Sequence, residues 1–144
     1  MNQIYTHPKR KTKVVFVQLG SPSEPTTKAL RKYLRKFLGD PRVVDINPWL
    51  WKIILNFFVL PFRPKKSAKL YARIWDGKSF PLITNTRDFT NNVREELKKI
   101  DPDGHVEVNH AFLLSPPYVN EVYDSWEDDL KKGIGATKLL VIPM

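Results

Sequence analysis

Three histidines, one glycine-containing loop and one acidic cluster are the places in this 144-residue sequence where chemistry could reside. His105 and His110 bracket the run HVEVNHAF. On an extended strand their odd separation sets them on opposite faces, so they cannot share a metal ion. His7 lies in the basic opening stretch, and surface or capping roles suit all three histidines. Gly20-Ser21-Pro22 closes an apolar run. A phosphate loop needs several glycines so that its backbone can approach the phosphates, and a single glycine reads instead as a tight turn. Glu127, Asp128 and Asp129 fall late in a helical stretch and read as a solvated face. No carboxylate pair and no Ser/His/Asp set can be nominated from spacing alone. With no cysteine in the chain, a disulfide, a thiolate metal site and a cysteine nucleophile are all excluded, which fits a reducing, cytoplasmic setting.

Charge narrows the partners. Twenty-four Lys and Arg against fifteen Asp and Glu leave a formal +9, which favours an acidic partner. Lys28, Arg31, Lys32, Arg35 and Lys36 make a basic stripe, but it runs along the polar side of a helix whose other side is core. Single-strand nucleic-acid binders interleave aromatics with cations. Here the cations follow the aromatics, and no nucleic-acid partner is expected.

The elements that must position these residues are legible from periodicity. Residues 1–11 form a basic leader, and residues 12–144 form one domain. KVVFVQLG is a continuous β-branched run, as in a strand buried on both faces. Ala29, Leu30, Tyr33, Leu34, Phe37 and Leu38 recur at helical spacing, ended by Gly39-Asp40-Pro41. RVVDINP is an extended connector. Trp49 to Leu60 is helical and interrupted by Pro61, and a helix resumes from Lys65 to Trp75. Asn85 to Ile100 is a helix with Phe89, Val93, Leu97 and Ile100 on one face. HVEVNHAF is a second strand, Tyr118 to Lys132 a helix, and KLLVIPM a third strand. Strands separated by helices predict an α/β fold with a parallel sheet of three to four strands, whose ligands sit beyond the strands' carboxyl ends.

One stretch resists a simple assignment. Trp49, Leu50, Trp51, Ile53, Ile54, Leu55, Phe57, Phe58, Val59 and Leu60 are apolar nearly all the way round. Such a helix is either fully enclosed or set in an apolar medium. Tryptophans at one end and Arg63, Lys65 and Lys66 at the other suit the lipid headgroup boundary. The stretch falls short of the roughly 20 apolar residues that a spanning helix needs.

KVVFVQLGSPSEPTTKALRKYLRKFLGDPRVVD resembles the opening of ferrochelatases, where a strand ending in L-G-x-P leads to a helix with a Y-L-x-x-F-L-x-D-x-R-V motif. LWKIILNFFVLPFRPKKSAKLYARIW resembles that family's apolar lip and the R-x-x-K-x-A-x-x-Y helix after it. The resemblance is collinear from about Lys13 to Met144. It implies a Rossmann-like, chelatase-type domain with an apolar helical lip. It also implies an enzyme, a lyase of haem biosynthesis, that inserts ferrous iron into protoporphyrin IX. Porphyrin and Fe2+ are then substrates, and no cofactor is bound covalently.

By the same resemblance, Leu19 is a porphyrin contact at a strand end and Arg63 a lip arginine near the propionates. Ser79 belongs to a G-S-P-L turn lining the pocket, and Leu113 takes the place of a pocket tyrosine. Trp49, Trp51, Ile54, Phe57 and Phe58 form the lip and its membrane-facing surface, with the protein peripheral on the inner face of the membrane. The chain departs from the family pattern at GKSFPL, where Phe80 separates serine from proline, and at Leu113, which has no hydroxyl. The family's S-A-H-S-L-P histidine and its glutamate partner belong to a second, C-terminal domain that this chain lacks. No catalytic base is therefore expected here, and the isolated chain is expected to be inactive. A reading of a different class is a non-catalytic porphyrin- or haem-binding half-domain that forms a homodimer through its exposed cleft face.

Overall fold

The computed structural model describes residues 11–144. Residues 1–10, with nearly all of the expected leader and His7, lie outside the described residues. Two compact units emerge: the chain through Leu19 together with Asn85–Met144, and Gly20–Thr84.

The first unit is built on strand β1 (Thr12–Gln18), flanked by β2 (Val106–Phe112) and β3 (Lys138–Pro143) in the order β2-β1-β3. All pairings are parallel, with Thr12 opposite both Val106 and Lys138. The β-branched run of β1 suits this central place, and Val15 and Phe16 are buried. Since β2 and β3 lie on opposite sides of β1, right-handed crossovers send helix α4 (Pro81–Ile100) and helix α5 (Val119–Lys131) to opposite sheet faces. Phe89 on α4 meets the Phe16 ring edge-on at 5.0 Å. Trp126 on α5 donates from Nε1 to the Ala136 carbonyl at 2.8 Å, tying α5 to the approach of β3. Glu121 accepts from the Tyr118 N–H at 2.9 Å, a capping contact at the start of α5.

The buried line of α4 differs from the expected one. Thr86 and Thr90 are buried, whereas Phe89 is 44% exposed and Ile100 79% exposed. A threonine whose hydroxyl bonds the carbonyl four residues back behaves as a small β-branched core residue. Thr90 does this, with Oγ1 donating to Thr86 O at 2.7 Å. The helix also starts four residues earlier than expected, at Pro81, where a missing N–H costs nothing.

The second unit is helical. Helix α1 (Thr27–Gly39) is capped by Thr26, whose hydroxyl accepts from the Ala29 N–H, and it buries Leu30 and Tyr33. The Tyr33 hydroxyl donates to the Gly20 carbonyl at 3.3 Å, and burial, then the nearby Tyr71, pushes its pKa up to about 12. Asn47 caps helix α2 (Pro48–Ile54), its Oδ1 accepting from the Trp49 and Leu50 amides.

Pro61 does not break the helical run. The chain passes from α2 through a π-helical segment, Leu55–Val59, directly into α3 (Leu60–Tyr71), which contains both Pro61 and Pro64. A proline inside a helix lacks its N–H and its ring collides with the carbonyl four residues back, here that of Phe57. Slipping to the wider π register relieves this, and the Leu60 N–H bonds Leu55 O, five residues back. Pro64 in turn orphans the Leu60 carbonyl. That carbonyl accepts from Arg31 Nε of α1 at 3.2 Å. A cation expected on a solvated stripe therefore fastens α1 to a helix that two prolines should have broken.

This contact is testable by a double-mutant cycle in urea. Arg31→Met leaves the Leu60 carbonyl without its donor and is expected to cost about 1 kcal/mol of stability. Pro64→Ala restores an N–H to that carbonyl, so in its background the Arg31→Met penalty should largely vanish, giving a coupling of about 1 kcal/mol. Equal penalties in both backgrounds would refute the account.

Candidate functional site

In the first unit, the carboxyl ends of β1 and β2 bring Leu19 and Leu113 side by side. The Leu113 N–H donates to Gln18 O and the Leu114 N–H to Leu19 O, both at 3.0 Å. The Leu19 N–H is held in turn by Gln18 Oε1 at 3.2 Å. Leu113 remains 58% exposed and Leu19 half-buried, so two apolar side chains face outward where the strands end. The strand order puts the topological switch between β1 and β3, which is where open parallel sheets bind ligands. At that end the Met144 N–H donates to Val17 O at 3.0 Å. Gly20 then turns the chain away at φ +94°, a conformation that favours glycine.

The histidines divide as their strand positions require. His105 Nδ1 lies 2.8 Å from Asp101 Oδ1, a local contact at the foot of β2. Asp101 also accepts from the Val106 amide, and these bonds hold its carboxyl below the usual carboxylate range. His110 is half-buried, with its Nδ1 shielded and without a hydrogen-bond partner among the described residues. Burial, followed by the charges of Arg94 and Arg87, depresses its pKa. Among the described residues no three His, Asp or Glu side chains are grouped to hold a metal ion. Glu127 of the acidic cluster pairs with Lys131 at 2.9 Å, as a solvated helix face would.

In the second unit, Arg63 is exposed on α3 and has no anionic partner among the described residues. Ser79 sits in a turn that Asp76 holds: Asp76 Oδ1 accepts from the Ser79 amide at 2.6 Å and the Lys78 amide at 2.8 Å. These two N–H groups lower the Asp76 pKa. Phe80, next to Ser79 in that turn, is 2% exposed and meets the Trp75 ring at 4.6 Å and the Tyr71 ring at 5.4 Å. Asp76 and Phe80 went unassigned from sequence. The D-G-x-S spacing is the signal for the first, since a short acceptor can bond amides two and three residues on.

The lip residues also divide. Trp49 (77%), Phe57 (70%) and Phe58 (64%) are exposed, joined by Phe62 (72%). Trp51 turns inward and donates from Nε1 to Leu38 O at 2.6 Å, and Ile54 is half-buried. The segment is therefore neither a core helix nor apolar-facing all round. One side packs and the other is bare. No described helix is long and apolar enough to cross a membrane.

The family model for ferrochelatase matches residues 11–144. A protein named ferrochelatase from Psychrobacter arcticus is 61% identical over 113 residues, covering 77% of this chain and 32% of the relative. Those from Idiomarina loihiensis and Teredinibacter turnerae are 40% identical over 131 residues and 39% over 144. They cover 91% and 99% of this chain, and 34% and 38% of themselves. The chain thus spans about a third of the length of the curated relatives it matches.

Two measurements probe the local chemistry. A histidine whose folded pKa is depressed contributes stability that is present above its unfolded value, near 6.5, and lost as pH falls through the folded one. Stability should therefore rise with pH below about 6.5, and His110→Leu should flatten that slope. An unchanged slope in the variant would show that His110 is not its source. For the turn, Asp76→Ala should speed hydrogen exchange at the Lys78 and Ser79 amides while leaving α1 amides unchanged. The wild-type turn should loosen in acid as Asp76 protonates, since its pKa is lowered in the folded state.

Proposed function

The chain belongs to the ferrochelatase family, and we propose that it supplies a porphyrin-holding part of an enzyme that inserts ferrous iron into protoporphyrin IX. The observation that carries this reading is the pair Leu19 and Leu113, fixed by main-chain bonds at the carboxyl ends of two parallel strands and left open outward. A flat macrocycle needs apolar contacts of this kind, and Leu113, without a hydroxyl, offers contact alone. Its propionates need a cation. Arg63, without an anionic partner among the described residues and directly after the apolar lip, is the group we assign to them. Ser79, on the turn that Asp76 clamps, is a further porphyrin contact in this reading.

Metal insertion must also remove the pyrrole protons. We assign no residue of this chain to that step, so residues 1–144 alone are proposed to bind porphyrin without inserting iron. The bare side of the lip carries aromatics followed by Arg63, Lys65 and Lys66, the order expected of a helix lying at a headgroup boundary. We therefore place the protein peripherally on the cytoplasmic face of a membrane, where an apolar substrate also partitions.

A second reading is a porphyrin- or haem-binding half-domain that self-associates through its exposed cleft face, where Leu113 stands open.

Fluorescence titration of protoporphyrin IX against residues 1–144, with iron insertion and solution mass measured in parallel, tests these readings. Saturable porphyrin binding is expected, and Arg63→Ala should weaken it by roughly two- to tenfold. No zinc or iron porphyrin should form, and measurable insertion would overturn the assignment of proton removal elsewhere. A haem-binding dimer favours the second reading, whereas absence of porphyrin binding defeats both.

A further inference from the structure

We propose that Gly20–Thr84 contains a binding site for a single acyl chain bearing an anionic head, in the cavity between the end of α1 and α2. The cavity has a volume of about 650 Å³, within the range of small-molecule sites. Its apolar wall includes Val44, Ile46, Trp51 and Leu55, and its cations are Arg35 and Lys52. No acidic side chain lines it, and neither cation has an anionic partner among the described residues. An apolar cavity edged by unpaired positive charge is complementary to an anionic amphiphile. It suits neither a neutral nor a cationic one.

The walls are set before any ligand arrives. Trp51 is fixed by its bond to Leu38 O, which holds α2 against the end of α1. Asp40 accepts from the Arg42 amide, shaping the loop that carries Val44. Leu55 opens the π-helical segment, and the Asn56 side chain donates from Nδ2 to Lys52 O at 2.7 Å, keeping that turn in place. Local π-helical turns recur at ligand sites because they widen the helix at one point.

The cavity also has a neighbour. Lys52 and Asn56 line a second, smaller hollow together with Trp49, Ile53 and Phe57, on the bare side of the lip. An acyl chain lying against that side would reach the cavity past Lys52, leaving its head between Lys52 and Arg35. None of Leu19, Arg63, Ser79 or Leu113 lines either hollow, so the site is separate from the proposed porphyrin contacts. The head could belong to a free long-chain carboxylate or to a membrane phospholipid, and the shared chemistry is a chain with one anionic end.

Calorimetric titration of residues 1–144 with tetradecanoate, below its aggregation threshold, tests the site directly. One saturable equivalent is expected, with a rise in melting temperature. Arg35→Gln with Lys52→Gln, both at exposed positions, should weaken it at least about fivefold, and Val44→Trp should fill the cavity and abolish it. Tetradecyltrimethylammonium should not bind saturably. Equal affinity for the cationic amphiphile, or an unchanged affinity in the double variant, would overturn the proposal. Sedimentation with phosphatidylglycerol vesicles separates the two sources of the head and the two readings. If the vesicles capture the chain while tetradecanoate fails to bind, the membrane-facing lip stands and the cavity site falls. If tetradecanoate binds and vesicles do not, the cavity takes free carboxylates and the lip reading falls.

Discussion

A helix that runs through two prolines must find new partners for the carbonyls those prolines leave behind, and the second unit is organised around that need. Pro61 forces the ladder into a π register at Leu55–Val59, and Pro64 leaves Leu60 O to Arg31. The same detour decides which side of the lip is bare. An uninterrupted α-helix would rotate Phe57, Phe58 and Phe62 by a different amount relative to Trp51 and Leu55. With the extra residue in one turn, Leu55 and Leu60 are buried while the three phenylalanines stand out. A single carbonyl satisfied from α1 therefore couples the apolar surface to the helix that supports it.

That surface is energetically one-sided. Burying a large apolar side chain stabilises by roughly 1.5–3 kcal/mol. Leaving Trp49, Phe57, Phe58 and Phe62 mostly in water therefore forgoes stabilisation on the order of 5–10 kcal/mol. In a domain whose net stability is about 5–15 kcal/mol, such exposure is tolerated only where the rest of the core suffices. Here the sheet of the first unit and the aromatic cluster Tyr71, Trp75 and Phe80 of the second carry that load. Phe80 goes into the core of that cluster, and Asp76 keeps the adjacent Ser79 amide in place.

Much of the fold was legible in the residues themselves. The β-branched run of β1, the alternation of β2 and the helical spacing in α1 each report a pattern that burial enforces. Their order implied the parallel sheet, and the parallel sheet implied that Leu19 and Leu113 would stand at strand ends. The lip was legible as apolar, but its bare and packed sides were not, because periodicity assumes an uninterrupted 3.6-residue turn and the π segment breaks that assumption. The roles of Arg31 and Asp76 escaped notice for another reason. Each acts on a backbone group, and sequence spacing does not show which carbonyl or amide has lost its partner.

By itself the sequence determined the class of fold, the buried character of β1, the basic and cysteine-free character of the chain, and the family to which it belongs. These follow from composition, period and long collinear motifs, all local or additive properties of the chain. Tertiary structure alone decided that the Pro61 and Pro64 helix continues, that Thr86 and Thr90 rather than Ile100 form the inner line of α4, and that Trp51 turns inward while Trp49 does not. Each of these depends on which polar group lies within hydrogen-bond reach in space: Arg31 for Leu60, Thr86 O for Thr90, Leu38 O for Trp51. Reach of that kind is a property of packed elements, and no residue carries it alone.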